Sequence, residues 1–462
     1  MVTVGIPKEN YLEKNYVLKE ILGSRLGLDF TTFLATDSYW SFYWCSTRVL
    51  RMRSDQFTEW GMLEVTQFDE RECLRVTADL PTSLQRKTSI STMPLLRSVQ
   101  SSAFFDENHD LCIDVLEIAF FFLTDGLGRL SRCVDGHGRK LAKGLYPYQR
   151  AVLGRPIVDE IAVILEEILK DAGVDVVGSN NAYSTIIGCD VDNMMLFRGD
   201  LSKDVKSILR PLKNPSAYGI LDVIRLSNSY IKYLFFGSLE DPYAKSVINI
   251  AKQATQAECD PQLFFIPTKN HPEYDLAPDM GETVVQHIIM QARENGGQIC
   301  LHPGYGTYNA GGKLRLQVEM FIRAIDDAGC SAVPLVARMH FLQWSFPETP
   351  KALEEAGVDV DASVAFADQA GFRIGTCIKS RFFDVAAKRE SDLFFIPLIA
   401  MDRTLLSESY MNLDRQNAVT LLKHLKQKCE EYNGCFNVLI HNCVATTHTG
   451  RALLKAVLGS RL

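Results

Sequence analysis

From about residue 183 onward the chain alternates short strand-like runs with helical stretches, and this rhythm constrains the fold more than any other feature. Strand-like runs fall at 184–190, 262–266, 298–302, 332–338, 394–400 and 435–441; helical stretches fall at about 283–295, 315–328, 349–356 and 415–432. Alternating β and α units imply a parallel sheet or barrel. Such folds gather their functional groups at the carboxyl ends of the strands. The polar residues fall at those ends: Asp190 and Asp192, His302, Arg338 and His340, Asp402, and His441. One coincidence of this kind would mean little. Five at successive strand ends predict a single site.

The remaining chain is too long to be one core with this region. At 462 residues the protein is expected to hold an amino-terminal α/β accessory domain over 1–150, a connecting helix within 151–180 and the alternating region over 181–462. In the first part, a helix around Tyr16 to Leu22 leads into strand-like Tyr39 to Trp44, and Leu111 to Leu123 reads as a further helix. Asp135-Gly-His137-Gly-Arg139 is turn-like, and Pro156 opens an amphipathic helix running to about Asp171. A net charge of −7 argues against nucleic-acid binding, which needs clustered cations. Twelve cysteines contain no Cys-x-x-Cys pair, which removes zinc-finger and thioredoxin-type readings and predicts reduced, buried thiols. The most apolar helix candidate, 111–123, is interrupted by Asp114 and Glu117 and is too short to span a bilayer. The first fifteen residues carry no apolar core segment, so a cytoplasmic location is the expectation.

The chemistry begins at Asp190-Val-Asp192-Asn193, directly after the apolar run 184–189. Two carboxylates one residue apart, where the chain is leaving a strand, need not share an orientation. One can bind a metal while the other takes a proton. His302, beside Pro303-Gly-Tyr-Gly306, is placed to bind a cation through neutral imidazole. Arg338 and His340 are two residues apart and share a face if the strand continues. Arg338 then either orients a carboxylate or forms a structural ion pair. His441 ends the apolar strand 436–440. Together these residues supply what metal-assisted hydrolysis of an amide or ester requires: a cation, a base for the water proton and an acid for the leaving group.

The order strand-Asp-x-Asp, strand-Leu-His-Pro, strand-Arg and a last strand ending Leu-Ile-His resembles the polysaccharide deacetylases of carbohydrate esterase family 4. It is most similar to their branch with an extra amino-terminal domain of unassigned function. Further matching stretches are Phe346-Pro-Glu-Thr-Pro350 with Leu353 to Gly357, Asp361-Ala-Ser-Val, Ala367 to Cys377, and Pro397-Leu-Ile-Ala-Met-Asp402. The resemblance implies a deformed (β/α) barrel of about seven strands, a divalent metal (zinc, or else iron, cobalt or nickel) and an N-acetylated carbohydrate as substrate. Residue by residue it implies Asp190 as catalytic base, Asp192 and His302 as metal ligands, Arg338 as the residue that orients Asp190, and His441 as general acid. Asp361 or Asp368 would tune that acid or shape the pocket.

The sequence departs from the family pattern where a second His is expected four residues after the first, because that position is Gly306. His340 is the candidate for the missing ligand, with substrate contact as its other reading. Tyr305, Phe341 and Trp344 flank the site and either stack on a sugar ring or pack. Arg373 either binds an acidic substituent, alongside Asp368 in the pocket wall, or pairs with a neighbouring Asp. The absent second-motif His leaves one alternative from a different class, a retired barrel that binds a glycan or a partner protein. Oligomeric state is not readable from the sequence.

Overall fold

The computed structural model describes residues 1–54, 76–96, 103–178, 181–213, 220–330 and 333–459. Residue 332, inside one expected strand, lies outside the described residues. An amino-terminal sheet contains β1 (Val2–Pro7), β2 (Phe30–Ala35), β3 (Tyr39–Trp44) and β4 (Thr47–Arg53), in the order β2-β1-β3-β4. A small ribbon pairs β5 (Val76–Asp79) with β6 (Thr92–Leu95). The second region builds a nine-stranded sheet from β7 (Ser184–Asp190), β8 (Asp260–Phe265), β9 (Gln298–Leu301), β10 (Val336–Ala337), β11 (Val360–Asp361), β12 (Ser380–Asp384), β13 (Arg389–Phe395), β14 (Ala400–Met401) and β15 (Cys435–Leu439). Its order is β12-β13-β11-β10-β9-β8-β7-β15-β14, and every pairing is parallel except β12 with β13.

β7 lies inside this sheet, between β8 and β15, and its β-branched run Thr185-Ile-Ile is buried on both faces, as a strand covered by helices on either side must be. Between consecutive strands come the helices Pro242–Gln256, Thr283–Glu294, Gly311–Asp327 and Glu348–Glu355, each burying one apolar stripe. The helical stretches expected from periodicity all formed, displaced by a few residues at their ends. β10 is much shorter than expected, since only two of its residues pair before the chain turns away. The ladder is linear, so a mixed α/β fold with a large parallel sheet is shown, and a closed ring of about seven strands is not. One stretch does touch both halves of the sheet. Ile396 and Leu398 donate to Asp361 and Val364, and Ile399 then donates to Asn437 in β15.

Beside two small clusters of buried side chains, two large ones divide the chain. One gathers residues between Val2 and Val174, the helix Ile157–Asp171 included, and takes in Phe366 and Phe383. The other lies between Ile187 and Leu458. Polar bridges join them. Arg25, buried, donates to Glu20, Asp159, Thr376 and Ser380. Asp159 in turn accepts from the Cys377 amide. Arg373 pairs with Asp125 through two hydrogen bonds of 2.7–2.8 Å.

Arg25→Met should therefore leave two buried carboxylates without their cation while keeping the volume filled. The expected cost is about 3–5 kcal/mol, read as a lower urea midpoint. An unchanged midpoint would show that the bridge contributes nothing to stability.

Candidate metal centre

Because the strands of the second sheet are parallel, their carboxyl ends open on one side, and the chemistry-bearing residues meet there. Asp190 is the last residue of β7, His302 follows β9, Arg338 follows β10, and His441 follows β15. All of them but Arg338 border a pocket of about 280 Å³, together with Asp192, His340, Arg139, Phe341, Arg403 and Tyr410.

Arg338 is fully buried. It donates to Asp190 Oδ1 at 2.9 Å, to Asn437 Oδ1 at 3.2 Å and to the Ala362 carbonyl at 3.1 Å. Its guanidinium lies over the Phe264 ring, 4.0 Å from the centroid. Space for it comes from Gly188, where an added Cβ would stand 2.3 Å from Arg338 Nη1. The ion pair fixes one oxygen of Asp190. The other, Oδ2, lies 3.6 Å from His302 Nε2. The sequence reasoning needed the strand to continue for Arg338 and His340 to reach one site. It does not. The strand stops at Ala337, Arg338 turns inward onto Asp190, and His340 enters by a separate tight turn, 340–342.

That turn is strained. Phe341 and Leu342 both hold positive φ, 61° and 52°, a region that costs residues with a Cβ about 1 kcal/mol or more. The Phe341 carbonyl is held by Arg139 Nη1 at 2.7 Å, and Gln343 donates to the His137 carbonyl at 2.8 Å. Arg139 also pairs with Asp135 and donates to Tyr410 Oη. The turn that presents His340 is thus clamped by the loop 135–139.

Asp192 Oδ1 lies 3.3 Å from His302 Nε2 and 3.5 Å from His340 Nε2. The three side chains offer ligand atoms within 4.8 Å of one another. These same three atoms, Asp192 Oδ1, His302 Nε2 and His340 Nε2, are buried and make no hydrogen bond. One such orphan costs about 1–3 kcal/mol. Three aimed at one point are what a cation requires.

The far ring nitrogens set the tautomers. His302 Nδ1 lies 2.5 Å from the Arg338 carbonyl, and His340 Nδ1 lies 2.8 Å from Asp275 Oδ1. Both oxygens only accept, so each Nδ1 carries the proton and each Nε2 presents a lone pair. Asp275 is held in turn by the amides of Asn270, His271 and Tyr305. Burial opposes its charge, and the hydrogen bonds from His340 and Tyr305 outweigh that, leaving its pKa below the ordinary carboxylate value. Burial also opposes charge on Asp192, yet His340, His302 and His441 hold its pKa well below the usual range. His302 is lowered by burial but raised more by Asp190 and Asp192, ending above ordinary imidazole. A divalent cation would take over that compensation and leave the imidazole neutral.

His441 stands on the opposite wall, with Nε2 3.4 Å from Asp192 Oδ2. Its Nδ1 donates to Asp402 at 2.7 Å, and its amide donates to the other Asp402 oxygen at 2.8 Å. Burial disfavours the imidazolium, but Asp402 and Asp192 together raise its pKa well above the usual value. Asp361 and Asp368, expected to tune this acid or shape the pocket, are hydrogen-bonded elsewhere. Asp361 accepts from Trp344 Nε1 and the Ser363 amide, and Asp368 accepts from the amides of Ala142 and Lys143. Arg373 is spent on Asp125, the ion-pair alternative open for it. Tyr305 is half-buried among Tyr274, Phe341 and His137, with its hydroxyl 3.0 Å from His137 Nδ1. Trp344 packs inside the second core. The sequence reasoning missed Asp275 entirely and gave Asp402 no role. Only the placement of Asp402 at a strand end hinted at it.

Residues 2–173 match a protein-family model described as a family of unknown function (DUF7033). No curated protein matches the chain. A crystal structure of a "putative polysaccharide deacetylase" from Mycobacterium smegmatis is similar over 62% of this chain and 85% of that one, with 14% identity and a TM-score of 0.36. This likeness is distant, at the level of fold, and carries no assignment of activity.

Purified protein should bind about one equivalent of a divalent metal, and Asp192→Asn or His340→Ala should abolish it. Asp275→Asn, which touches no metal itself, should weaken affinity about 10–100-fold. Elemental analysis and titration calorimetry check both; undiminished binding in His340→Ala would exclude it as a ligand.

Proposed function

We propose that this chain is a metal-dependent hydrolase that removes acetyl groups from an N-acetylated carbohydrate. The observation that carries the reading is the convergence of three unsatisfied buried ligand atoms, Asp192 Oδ1, His302 Nε2 and His340 Nε2, between a clamped carboxylate and a carboxylate-backed histidine. The motif order in the sequence supports the same reaction and a (β/α) barrel as the fold, as do the hydrogen bonds of 396–399 to both halves of the sheet. His340 fills the place left by Gly306.

When bound, a divalent cation supplies Lewis acidity and lowers the pKa of a coordinated water to about 7. Zinc suits a set of two imidazoles and one carboxylate with open positions. Asp190 is the base. Arg338 ties its Oδ1, leaving Oδ2 facing the pocket to accept the water proton. His441 is the acid. Asp402 fixes its Nδ1–H and stabilises the imidazolium, so Nε2 presents a proton to the departing amine. The amide C–N bond breaks, acetate forms, and the proton taken by Asp190 replaces the one given by His441. Tyr410, Phe341 and Leu342 border the remaining pocket and form the surface against which a sugar ring rests. The substrate is thus an N-acetylated sugar or polysaccharide precursor.

Asp190→Asn should lower kcat by about 10²–10⁴ with metal content unchanged, measured as acetate release from N-acetylated oligosaccharides. Survival of turnover would remove Asp190 as the base. Asp402→Asn should lower the His441 pKa, because a compensating anion is lost. The alkaline limb of the rate profile, where the acid loses its proton, should then move to lower pH. An unmoved limb would separate Asp402 from the acid.

A further inference from the structure

Between β7 and β8 the chain inserts two helices, Leu201–Leu209 and Ile220–Phe236, that the hydrolytic site does not use. Each keeps an apolar stripe turned outward. On the first, Leu201, Val205 and Leu209 recur every fourth residue and are all exposed. On the second, Leu221, Ile224, Ile231 and Leu234 are exposed at spacings that fall along one side. Phe235 and Phe236, at its end, are 78% and 76% exposed. Soluble surfaces rarely leave so many apolar side chains of neighbouring helices uncovered without a partner.

The charges are sorted as well. From 201 to 236 the sequence carries six Lys or Arg against two Asp, in a chain of net charge −7. Both acids point inward: Asp204 is buried and accepts from the Arg198 amide, and Asp222 is buried and pairs with Arg225 and Arg451. Lys203, Lys206, Arg210 and Lys232 are exposed. What these helices present is therefore apolar side chains interleaved with an excess of cations, of which Lys203 pairs with Asp200 at the start of the first helix. A second copy docked on the same face would set those cations against one another. An anionic phospholipid surface satisfies both, taking the Leu, Ile and Phe side chains among its acyl chains and the Lys and Arg among its phosphates.

We infer that the helices Leu201–Leu209 and Ile220–Phe236 dock this protein on an anionic lipid bilayer. No helix among the described residues is long and apolar enough to cross a membrane, and interfacial docking needs none. The excess negative charge on the rest of the chain orients the molecule with this face toward the lipid. Docking also sets the pocket beside the bilayer. Arg210 lines a cavity of about 500 Å³ with Arg403 and Ser407, and these last two also border the metal pocket.

The test is sedimentation of the full chain with vesicles of phosphatidylcholine alone or of equal parts phosphatidylcholine and phosphatidylglycerol. The expected result is binding to the anionic vesicles only, weakening as salt is raised. Phe235→Ser/Phe236→Ser and Lys203→Glu/Lys206→Glu/Lys232→Glu should each reduce it about tenfold or more. These side chains are exposed, so circular dichroism and metal content should match wild type; if a variant misfolds, the lipid and salt dependence of the wild-type chain decides alone. Equal binding to neutral vesicles, no binding, or full binding by folded variants would overturn the inference. So would light scattering that shows a lipid-free dimer dissociated by Phe235→Ser/Phe236→Ser while vesicles stay unbound, since that assigns the face to a second copy.

Discussion

A buried guanidinium organises the heart of this molecule. Arg338 has no access to water, so each of its donors must find an oxygen inside the sheet. The oxygens come from three different strands or strand ends: Asp190 at the end of β7, Asn437 in β15 and the Ala362 carbonyl after β11. Satisfying one cation thereby fixes the lateral spacing of elements far apart in sequence. It also dictates Gly188, because any side chain there would occupy the guanidinium's place. The carboxylate that Arg338 selects is the one left free of the metal cage, which divides labour between two aspartates a residue apart.

The cage follows the opposite electrostatic rule. Arg338 and Asp190 satisfy each other, whereas Asp192 Oδ1, His302 Nε2 and His340 Nε2 are held close and left unsatisfied. Each imidazole has its other nitrogen occupied, by a carbonyl for His302 and a carboxylate for His340 and His441. The carbonyl sets orientation alone. The carboxylates add charge, which makes His441 a stronger holder of its proton. Two histidines with one kind of partner therefore suit different tasks, because one faces Asp192 beside His302 and the other faces it from the opposite wall.

How much of this could be read from the sequence depended on whether a residue's role followed from its own strand. Asp190, Asp192, His302 and His441 sit at the ends of apolar runs, and the parallel arrangement implied by the β/α rhythm brings such ends together. Apart from that of Arg338, which came with the resemblance, roles set between strands were not legible. Asp402 reaches His441 because β14 pairs with β15 in the register Met401 with Leu439, and no spacing along the chain reveals that register. Asp361 stood at an equally suitable strand end yet was claimed by Trp344. Asp275 lies in an irregular loop after β8, where periodicity carries no information, and its function consists of backbone amides that any sequence possesses. The His340 position was reached for an incomplete reason, since a two-residue spacing matters only inside a strand and the strand had ended.

The same distinction bears on the amino-terminal part, which looked like an appendage because it held no catalytic cluster of its own. Its contribution is geometric. A turn with two residues at positive φ does not persist unless its surroundings over-determine it, and the surroundings of 340–342 include Arg139 on the Phe341 carbonyl and the His137 carbonyl beneath Gln343. Arg139 is itself locked by Asp135. Nearby, Asp368 grips the amides of Ala142 and Lys143 and so anchors the loop from the other side. Remove that loop and His340 loses the constraint that aims Nε2 at Asp192, although every ligand would still be encoded in the second part of the chain. The metal cage is thus a product of both cores: one supplies the ligands, and the other supplies the force that keeps one of them in place.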